Sequence, residues 1–400
     1  MECGSYAAAR INCEEAAMFR FIMRRLVQII LTFLLFLALS YVLIEAMPGD
    51  FANVFLQDSR LTLEQRNAIR VSLGLDRPPH ERFFIYIGAL VRGDLGISFQ
   101  YYPRRVVDVI MERAPRTLML FISATIVSFY VGFFAGKVLA WRRGRVLEYV
   151  TTVGGVTLYT VFTPWFGLMM IWLFAFTLGW FPIGKFITPA VWRRAPVEAN
   201  VVFNWMLLTA LGVSVLIFGW LWLTRHMNGR WRGGIRWSGI GAILLVALTL
   251  WLPSGLGRYA LNILHHLTLP VLTLTLISFA GTMLLTRNSM LETLREDYIT
   301  TARAKGLPDN VIRDKHAARN AMLPVVTSLV FSLAFALSGG VITEGVFSWP
   351  GMGEVLLQSA VTQDIPMMMG ALIFTGILAL LAHLVADILY AFLDPRIRYA

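Results

Sequence analysis

Charged residues and cysteines are scarce in this sequence. Only 15% of its 400 residues are charged and only two are cysteines, whereas 57% are apolar. So little charge cannot cover the surface of a soluble chain of this length, and the composition therefore indicates a membrane protein. Cys3 and Cys13 are too few for a disulfide framework, and the residues around them lack the spacing of a metal site.

The net charge of +11 would suggest nucleic-acid binding if the chain were soluble. In a membrane protein, however, lysines and arginines collect in cytoplasmic loops and at the ends of spans. The second explanation fits the places where the basic residues occur. We therefore expect a lipid membrane, and no nucleic acid, as a partner.

Eight apolar runs are candidates for membrane spans. At 1.5 Å per residue, about twenty helical residues cross a hydrocarbon core of about 30 Å. Lipid offers no partner to backbone amides, so the spans must be helices, and the alternating pattern of a β-barrel is missing. The sequence thus predicts an all-α, polytopic membrane helical bundle. The predicted spans are 26–46, 117–141, 149–178, 201–223, 235–253 (marginal in length), 267–286, 321–343 and 367–393.

The basic residues also predict the orientation of the bundle. Arg20, Arg24 and Arg25 precede the first run, and three further basic segments follow the second, fourth and last runs. All of them lie on one side of the membrane if both termini are cytoplasmic. The three segments are "WRRGR" at 141–145, "TRHMNGRWRGGIR" at 224–236 and "DPRIR" at 394–398.

The two ends of the first span carry further signals. Residues 1–17 are mixed and unpatterned, and Met18 or Met23 would each give a more ordinary start. The apolar run that follows is too long for a signal-peptide core, so we expect an uncleaved span. After it, Thr62 to Gln65 fits a capping box and Gly74 a helix-ending position, which predicts a short helix over 63–73 in an external connection.

One charged segment, Arg295 to Val326, differs from the apolar runs around it. Helix formers dominate 288–305, Gly306 stands where a glycine ends a helix, and Pro308 prevents continuation. Asp309 can cap a second helix that runs to Asn320, and Pro324 suits the first turn of the next span. The pattern predicts a helix, a glycine turn and a second helix at the cytoplasmic face.

Two interpretations of this segment stay open on the residues alone. It is either a solvated connector or a short helix seated in a groove of a separate cytoplasmic protein. The small residues Thr301, Ala302, Ala304 and Gly306 favour the second interpretation. They would allow the backbone of a partner to approach closely while neighbouring charges fix the register.

The segment "YITTARAKGL…HAARNAMLP" resembles the cytoplasmic loop of bacterial ATP-binding-cassette importer permeases, in the longer form of the dipeptide/oligopeptide family. The glutamate that gives this loop its usual name is absent, and Thr300 and Thr301 stand in that region. Further matching motifs follow in the expected order. They are "MPGD" at 47–50, "LGLDRP" at 73–78, "GDLGISF" at 93–99, "EGVFSWPGMG" at 344–353 and "LDPRIR" at 393–398.

The resemblance implies a membrane transport subunit that has no catalytic, cofactor or metal site of its own. Its partners would be a second homologous permease, two cytoplasmic ATPases and an extracytoplasmic solute-binding protein. The residues that would couple the chain to the ATPases are Tyr298, Thr301, Ala302, Arg303, Ala304, Lys305, Gly306 and Leu307. The substrate stays open among dipeptides, longer peptides, nickel chelates and oligosaccharides.

The resemblance also predicts the organisation of the chain. Such permeases usually have six spans, so residues 201–253 would be an inserted pair, joined by Arg225, Arg230, Arg232 and Arg236. The predicted regions are a cytoplasmic leader at 1–25, the first span at 26–46, an external connection at 47–116 and a permease domain at 117–398. The last includes the insertion and a coupling loop at 287–320.

Several other patterns point to chemistry less strongly. "GFFAGK" at 132–137 is one residue short of a phosphate-binding loop and lies inside a span. Adjacent His265 and His266 point about 100° apart on a helix, which favours an interfacial pair over a metal site. Three methionines at 367–369 favour packing at the entry of a span over a soft-metal site.

Two functions from other classes remain as alternatives. An ion-driven carrier usually needs ionisable groups inside the membrane, and His383 and Asp387, one turn apart near the end of a span, could form such a pair. A membrane assembly or sensory protein would transport nothing. Copurification with an ATPase chain would weaken both alternatives.

Overall fold

A computed structural model describes residues 3–46, 77–226, 229–251, 255–336 and 339–393. Within these ranges the only pairing of β type is one isolated antiparallel bridge between Ile97 and Arg105, and the rest of the regular structure is helical. The expected all-α fold is confirmed. The predicted helix at 63–73, the "MPGD" motif, most of "LGLDRP" and the "DPRIR" segment lie outside the described residues.

We number the helices in chain order. Within the described ranges, seven of them are long and apolar enough to cross a membrane, or eight if one sharply bent pair counts as a single span, which confirms a polytopic bundle. The helices are α1 Cys3–Glu45, α2 Pro79–Val91, α3 Val106–Trp141, α4 Val146–Thr160, α5 Thr163–Thr177, α6 Pro189–Trp192, α7 Ala199–Leu223, α8 Gly229–Trp251, α9 Gly257–Thr293, α10 Asp297–Ala304, α11 Asp309–Ala336, α12 Val341–Phe347, α13 Met352–Val361 and α14 Ile365–Leu393.

The chain forms two compact units, one made of Met1–Gly167 with Val271–Ala400 and the other of Leu168–Pro270. In the first unit, the start of α3 packs against α13 and α14 through a cluster that includes Val106, Met352 and Met367. Met368 and Met369 lie in a second cluster with side chains of α1. All three methionines are buried, so the expectation that they pack at the entry of a span is confirmed.

The glycines of "GFFAGK" bring α3 into backbone contact with α9. A β-carbon on Gly132 would lie 2.6 Å from the carbonyl oxygen of Phe279, and one on Gly136 would lie 2.5 Å from that of Met283. Two small residues four positions apart are a common device for close helix packing in membranes. The pattern that resembles a phosphate-binding loop is therefore a helix-packing motif.

The prediction of one continuous span over 149–178 is wrong. The chain forms α4 and α5 instead, and the two helices meet at an angle of 108°. Pro164 accounts for the break, because its ring clashes with the carbonyl of Thr160 in a continuous helix and it lacks the amide that would bond that carbonyl. Val161 is extended at this point, with φ −66° and ψ 140°.

The prediction that a span starts just before Pro324 and runs to residue 343 is also wrong. Helix α11 runs from Asp309 to Ala336, with a π-helical stretch at Ile312–Ala317, so Pro324 lies in its interior. A proline inside a membrane helix is tolerated where neighbouring side chains bond the backbone groups close to it. Here the hydroxyl of Ser289 on α9 donates to the carbonyl of Ala321, one turn before the proline, at 3.0 Å.

His383 and Asp387, one turn apart, each contact a residue of another helix. The carboxylate of Asp387 pairs with the guanidinium of Arg25 on α1 at 3.3 Å. The imidazole of His383 packs edge-on against the ring of Phe335, with 5.2 Å between centroids. The pair therefore does not form a carboxylate–imidazole relay.

In the second unit, the apolar runs at 201–223 and 235–253 form the helical hairpin α7/α8. The indole of Trp220 donates to the carbonyl of Ile235 across the hairpin at 3.2 Å. Each of the two adjacent histidines binds a carbonyl: His265 Nε2 lies 2.9 Å from Trp180 O and His266 Nδ1 lies 2.8 Å from Asn262 O. They anchor the backbone of this unit.

Candidate functional site

Helix α10 carries most of the residues singled out in the charged segment. It begins after Glu296, which is extended, and has Asp297 in its first turn and Arg303 in its last. Acidic residues near the start and basic residues near the end of a helix both stabilise its dipole. The local sequence is therefore consistent with a short helix at this place.

The structure splits the helix that the sequence predicts over 288–305. Helix α9 ends at Thr293, and α10 starts anew at Asp297. Met290 and Ile299 lie in the same buried cluster, whereas nine residues of continuous helix would separate them by about 13 Å along the axis. The turn between the two helices brings Ile299 back to the cluster that contains Met290, where its side chain is buried.

Gly306 ends α10 as predicted from the sequence. Its φ of +70° lies in the left-handed region, and its amide donates to the carbonyl of Arg303 at 2.9 Å. The amide of Leu307 donates back to the carbonyl of Ala302 at 3.3 Å. These two bonds form the Schellman motif that a glycine at this position favours.

One face of α10 is fixed to the chain by apolar packing. Ile299 and Ala302 are buried against residues of α9 and α11. The expectation that Ala302 contributes to a surface for a partner is therefore wrong: its methyl group faces the protein's own core. The other members of this cluster are Ala140, Met290, Ile312, Ala317, Ala318 and Ala321.

The opposite face of α10 and its C-terminal turn are exposed. Among the residues that the structure describes, neither Arg303 nor Lys305 has a carboxylate within ion-pairing distance. Tyr298 is partly held, since Asn320 Nδ2 donates to its hydroxyl at 2.7 Å. The exposed residues of the candidate segment are Tyr298, Thr301, Arg303, Ala304, Lys305, Gly306 and Leu307.

Two ion pairs connect α9 and α11, the helices before and after α10, to other helices of the unit. The guanidinium of Arg287 on α9 binds the carboxylate of Glu148 on α4, with Nε 2.7 Å from Oε1. Lys137 of α3 pairs with Asp314 of α11 at 3.2 Å. Glu148 also accepts a bond from the amide of Gly144 at 2.6 Å, which closes the turn before α4. A force applied to α10 would therefore reach several long helices.

An open cavity of about 490 Å³ lies beside the exposed face of α10. Three arginines and one aspartate line it, namely Arg143, Arg295, Arg303 and Asp309. Within the described part of the chain, none of the three guanidinium groups has a carboxylate within ion-pairing distance. The excess of positive charge makes this surface complementary to an acidic partner.

The late motif "EGVFSWPGMG" forms a buried turn whose backbone amides bond a carboxylate. Glu344 is fully buried, and its Oε2 accepts bonds from the amides of Gly353 at 2.7 Å and Glu354 at 3.2 Å. Burial raises the pKa of this carboxyl to about 7, against the opposing effect of the hydrogen bonds. The indole of buried Trp349 donates to the carbonyl of Arg116 at 3.1 Å, which connects this motif to α3.

The motif "GDLGISF" is held by a carboxylate far along the chain. Buried Asp364 accepts bonds from the hydroxyl of Ser98 at 2.5 Å and the amide of Gln100 at 2.9 Å. It also caps α14 by accepting from the amide of Met367 at 3.1 Å. Both motifs are therefore structural connections between distant segments.

Sequence reasoning missed several residues that position α10. Ile299 was not singled out, although its spacing of three from Ala302 is typical of the buried face of a helix. Glu148, Arg287 and Asn320 act through contacts with partners 22 to 139 positions away, which no local pattern reveals. Around the segment, and elsewhere among the described residues, no group of three metal-binding side chains is found.

Comparison with known proteins gives two matches to family models. A model described as "Binding-protein-dependent transport system inner membrane component" matches residues 237–399. A second, described as "Binding-prot-dependent transport system membrane comp, N-term", matches residues 18–121.

The chain is also similar over nearly its whole length to curated proteins. It is 30% identical to the oligopeptide transport system permease protein AppB of Bacillus subtilis, over 95% of this chain and 99% of that protein. It is 31% identical to the dipeptide transport system permease protein DppB of Escherichia coli and to the di/tripeptide transport system permease protein DppB of Pseudomonas aeruginosa. Both matches cover 96% of this chain and 99% of the relative.

Proposed function

Since the chain belongs to the family of binding-protein-dependent transport system inner membrane components, we propose that it is the transmembrane permease subunit of an ATP-driven importer of di- and oligopeptides. Its multiple apolar helices fit a multi-pass protein of the cell membrane. The names of its relatives support peptides as the transported class. The chain itself would hydrolyse nothing.

The partners follow from the kind of transport system. Separate cytoplasmic ATPases would supply the energy, an external solute-binding protein would deliver the peptide, and a second, similar permease would complete the path. The basic segments support an orientation with both termini and α10 in the cytoplasm. The inserted pair of spans at 201–253 would be an addition to the six-span core.

We propose that the exposed residues of Thr301–Leu307, together with Tyr298, form the surface that the ATPases contact. The observation that carries this proposal is the two-faced character of α10. Ile299 and Ala302 fix it to the core of its own unit, while Arg303 and Lys305 are left exposed and unpaired among the described residues. A helix that is anchored on one side and free on the other can transmit a push.

The connections of α10 give the push a direction. Helix α9 precedes α10 in the chain and α11 follows it, so displacement of α10 would move both of them. The ion pairs Glu148–Arg287 and Lys137–Asp314 would extend the movement to α4 and α3. Closure of the ATPases on ATP binding would thus tilt these helices from an inward-open to an outward-open arrangement.

Substitution of Gly306 tests the coupling role. A β-carbon at Gly306 meets nothing within 4 Å, so Gly306→Gln adds only the strain of a left-handed residue, about 1 kcal/mol, and a side chain on the exposed surface. We expect the variant to insert into the membrane normally. Peptide-stimulated ATP hydrolysis by the assembled transporter should fall at least tenfold, because the side chain occupies the partner's place.

Gly93→Gln is the matched control. Gly93 also has a positive φ, +78°, and open space around its β-position, but it lies in the "GDLGISF" connection, on the side that we expect to be external. The control should keep its coupled hydrolysis. Equal and normal coupling in both variants, measured in proteoliposomes with the ATPases, would remove the assignment of the segment.

A further inference from the structure

The break between α4 and α5 is placed where lipid cannot accommodate it. Helix α4 has 15 residues, which span about 22 Å at 1.5 Å per residue. It begins immediately after the charged turn Arg142–Arg145 and has Glu148 in its first turn, so its start belongs at the membrane surface. Because 22 Å is less than a hydrocarbon core of about 30 Å, its end at Thr160 falls inside the membrane.

The bend leaves this end of α4 inside the membrane. Helix α5 departs at 108° from the direction of α4, so it does not continue the crossing along the same axis. The last carbonyl groups of α4 therefore have no following turn of helix to bond them.

Side-chain hydroxyls satisfy only part of this deficit. Of the last four carbonyls of α4, that of Thr157 accepts a bond from the hydroxyl of Thr160 at 3.0 Å. Across the described part of the chain, the carbonyl oxygens of Tyr159 and Thr160 accept no hydrogen bond. An unpaired carbonyl in hydrocarbon costs several kcal/mol.

The two sides of the break differ. One side packs on other helices of the first unit: β-carbons on Gly155 and Gly167 would contact Met283 and Val346, each at 3.1 Å. On the other side, aromatic rings stand free in this chain, with Phe162 71% and Tyr159 61% exposed. The free carbonyls and the exposed rings thus occur together.

We propose that this break, formed by Tyr159, Thr160 and Phe162, lines the path of the transported peptide and contacts it. Irregular backbone at membrane depth is stable only where it is buried in protein or faces a water-filled cavity. Discontinuous helices whose free carbonyls face the solute are a recurring way to build transport sites. The inference rests on the proposed function, from which it takes the peptide as solute.

The chemistry of the break suits a peptide. The free carbonyls of Tyr159 and Thr160 lie at the C-terminal, partly negative end of α4, so they can accept bonds from the amide groups or the terminal ammonium of a peptide. The rings of Tyr159 and Phe162 offer a surface on which side chains of different shape can pack. Contacts to backbone groups shared by all peptides, with adaptable ring contacts, fit an importer of many sequences.

Water access at Phe162 tests the proposal directly. In the assembled transporter with Cys3 and Cys13 replaced by serine, Phe162→Cys is treated with a small, charged, membrane-impermeant thiol reagent on both sides of the membrane. Leu35→Cys is the matched control, since Leu35 is 70% exposed but lies within the long apolar span of α1. We expect Phe162→Cys to react at least tenfold faster than the control.

Two outcomes would overturn the proposal. Equal, slow reaction of both cysteines would mean that the break is covered by lipid or by the second permease. Fast reaction that leaves uptake of labelled Ala-Ala or tetra-alanine unchanged, after complete modification, would mean that the water-filled space is not the path. Tyr159→Cys serves as a second site if Phe162→Cys fails to assemble.

The design separates this proposal from the proposed function. If the cysteine-free parent takes up neither peptide, the peptide assignment fails while the labelling rates still report on water access. If the parent transports and its uptake resists the reagent, loss of uptake in labelled Phe162→Cys belongs to the break.

Discussion

Gly136 of α3 lies so close to α9 that a β-carbon on it would stand 2.5 Å from the carbonyl oxygen of Met283. The same β-carbon would come within 2.7 Å of the β-carbon of Thr286. No real side chain tolerates such distances, so the two backbones can approach only because residue 136 is a glycine. The helix that feeds α10 is thus fixed to its neighbour by backbone contact.

We predict that Gly136→Ala destabilises the protein by about 1–3 kcal/mol, because overpacking forces α3 and α9 apart. Gly154→Ala is the matched control, since Gly154 is also helical but has nothing within 4 Å of its β-position. That change should be neutral or stabilise by about 0.5–1 kcal/mol, as alanine favours helix over glycine. Thermal unfolding of the purified protein in detergent compares the two, and equal melting temperatures would contradict the contact.

The ion pair between Glu148 and Arg287 gives a second prediction. Both side chains are mostly buried, with 11% and 24% exposure, so removal of one leaves the other charged in poorly hydrated surroundings. In a double-mutant cycle with Glu148→Ala and Arg287→Ala, we expect a coupling free energy of about 1–2 kcal/mol, reduced from the fully buried case by the remaining solvent.

The adjacent pair Arg313 and Asp314 provides a comparison for that cycle. Asp314 is more exposed, at 44%, and it pairs with Lys137 as well as with its chain neighbour Arg313. Arg313→Ala combined with Asp314→Ala should show a coupling of at most a few tenths of a kcal/mol. A coupling at Glu148–Arg287 no larger than this value would show that the pair does not brace α4 against α9.

What the sequence could predict follows from how local the cause is. The apolar runs and the end of α10 at Gly306 were predictable because hydropathy and a left-handed glycine act within a few residues. The run at 149–178 is apolar throughout, so hydropathy and periodicity alone predict one span. The break follows only from the clash of Pro164 with the carbonyl of Thr160.

The side of α10 that faces the core was not predictable in the same way. Ala302 looks like a surface residue in a list of small side chains, yet it lies in a buried cluster with Met290 and Ile312 from two flanking helices. The bond between Ser98 and Asp364 joins residues 266 positions apart. Such contacts depend on the arrangement of helices, which the sequence specifies only through the packing of the whole unit.

Asp364 gives a third prediction. Its carboxylate accepts the hydroxyl of Ser98 and the amides of Gln100 and Met367, and only 1% of the residue is exposed. Asp364→Ala should destabilise the protein by about 3 kcal/mol, because it removes charge-assisted bonds and leaves buried donors unpaired. Asp94→Ala should cost less than about 1 kcal/mol, since Asp94 is exposed and, among the described residues, its side chain accepts only the amide of Gly96. A similar loss in both variants would contradict the structural role of Asp364.

Glu344 makes stability depend on pH in an unusual direction. It lies in α12, outside the candidate spans, and burial raises its pKa from the ordinary value near 4.5 to about 7. Between these two values the folded state binds more protons than the unfolded state, so the free energy of unfolding must fall as the pH rises. The contribution of a neutral Glu344 is complete below about pH 4.5 and is lost by about pH 7.

We predict that Glu344→Gln, whose amide oxygen can still accept from Gly353, does not lose this stability as the pH rises. Melting temperatures of the parent and the variant in detergent, measured from pH 5 to pH 8, should converge at low pH and separate in favour of the variant at high pH. Parallel curves over the whole range would show that the buried carboxyl does not titrate there.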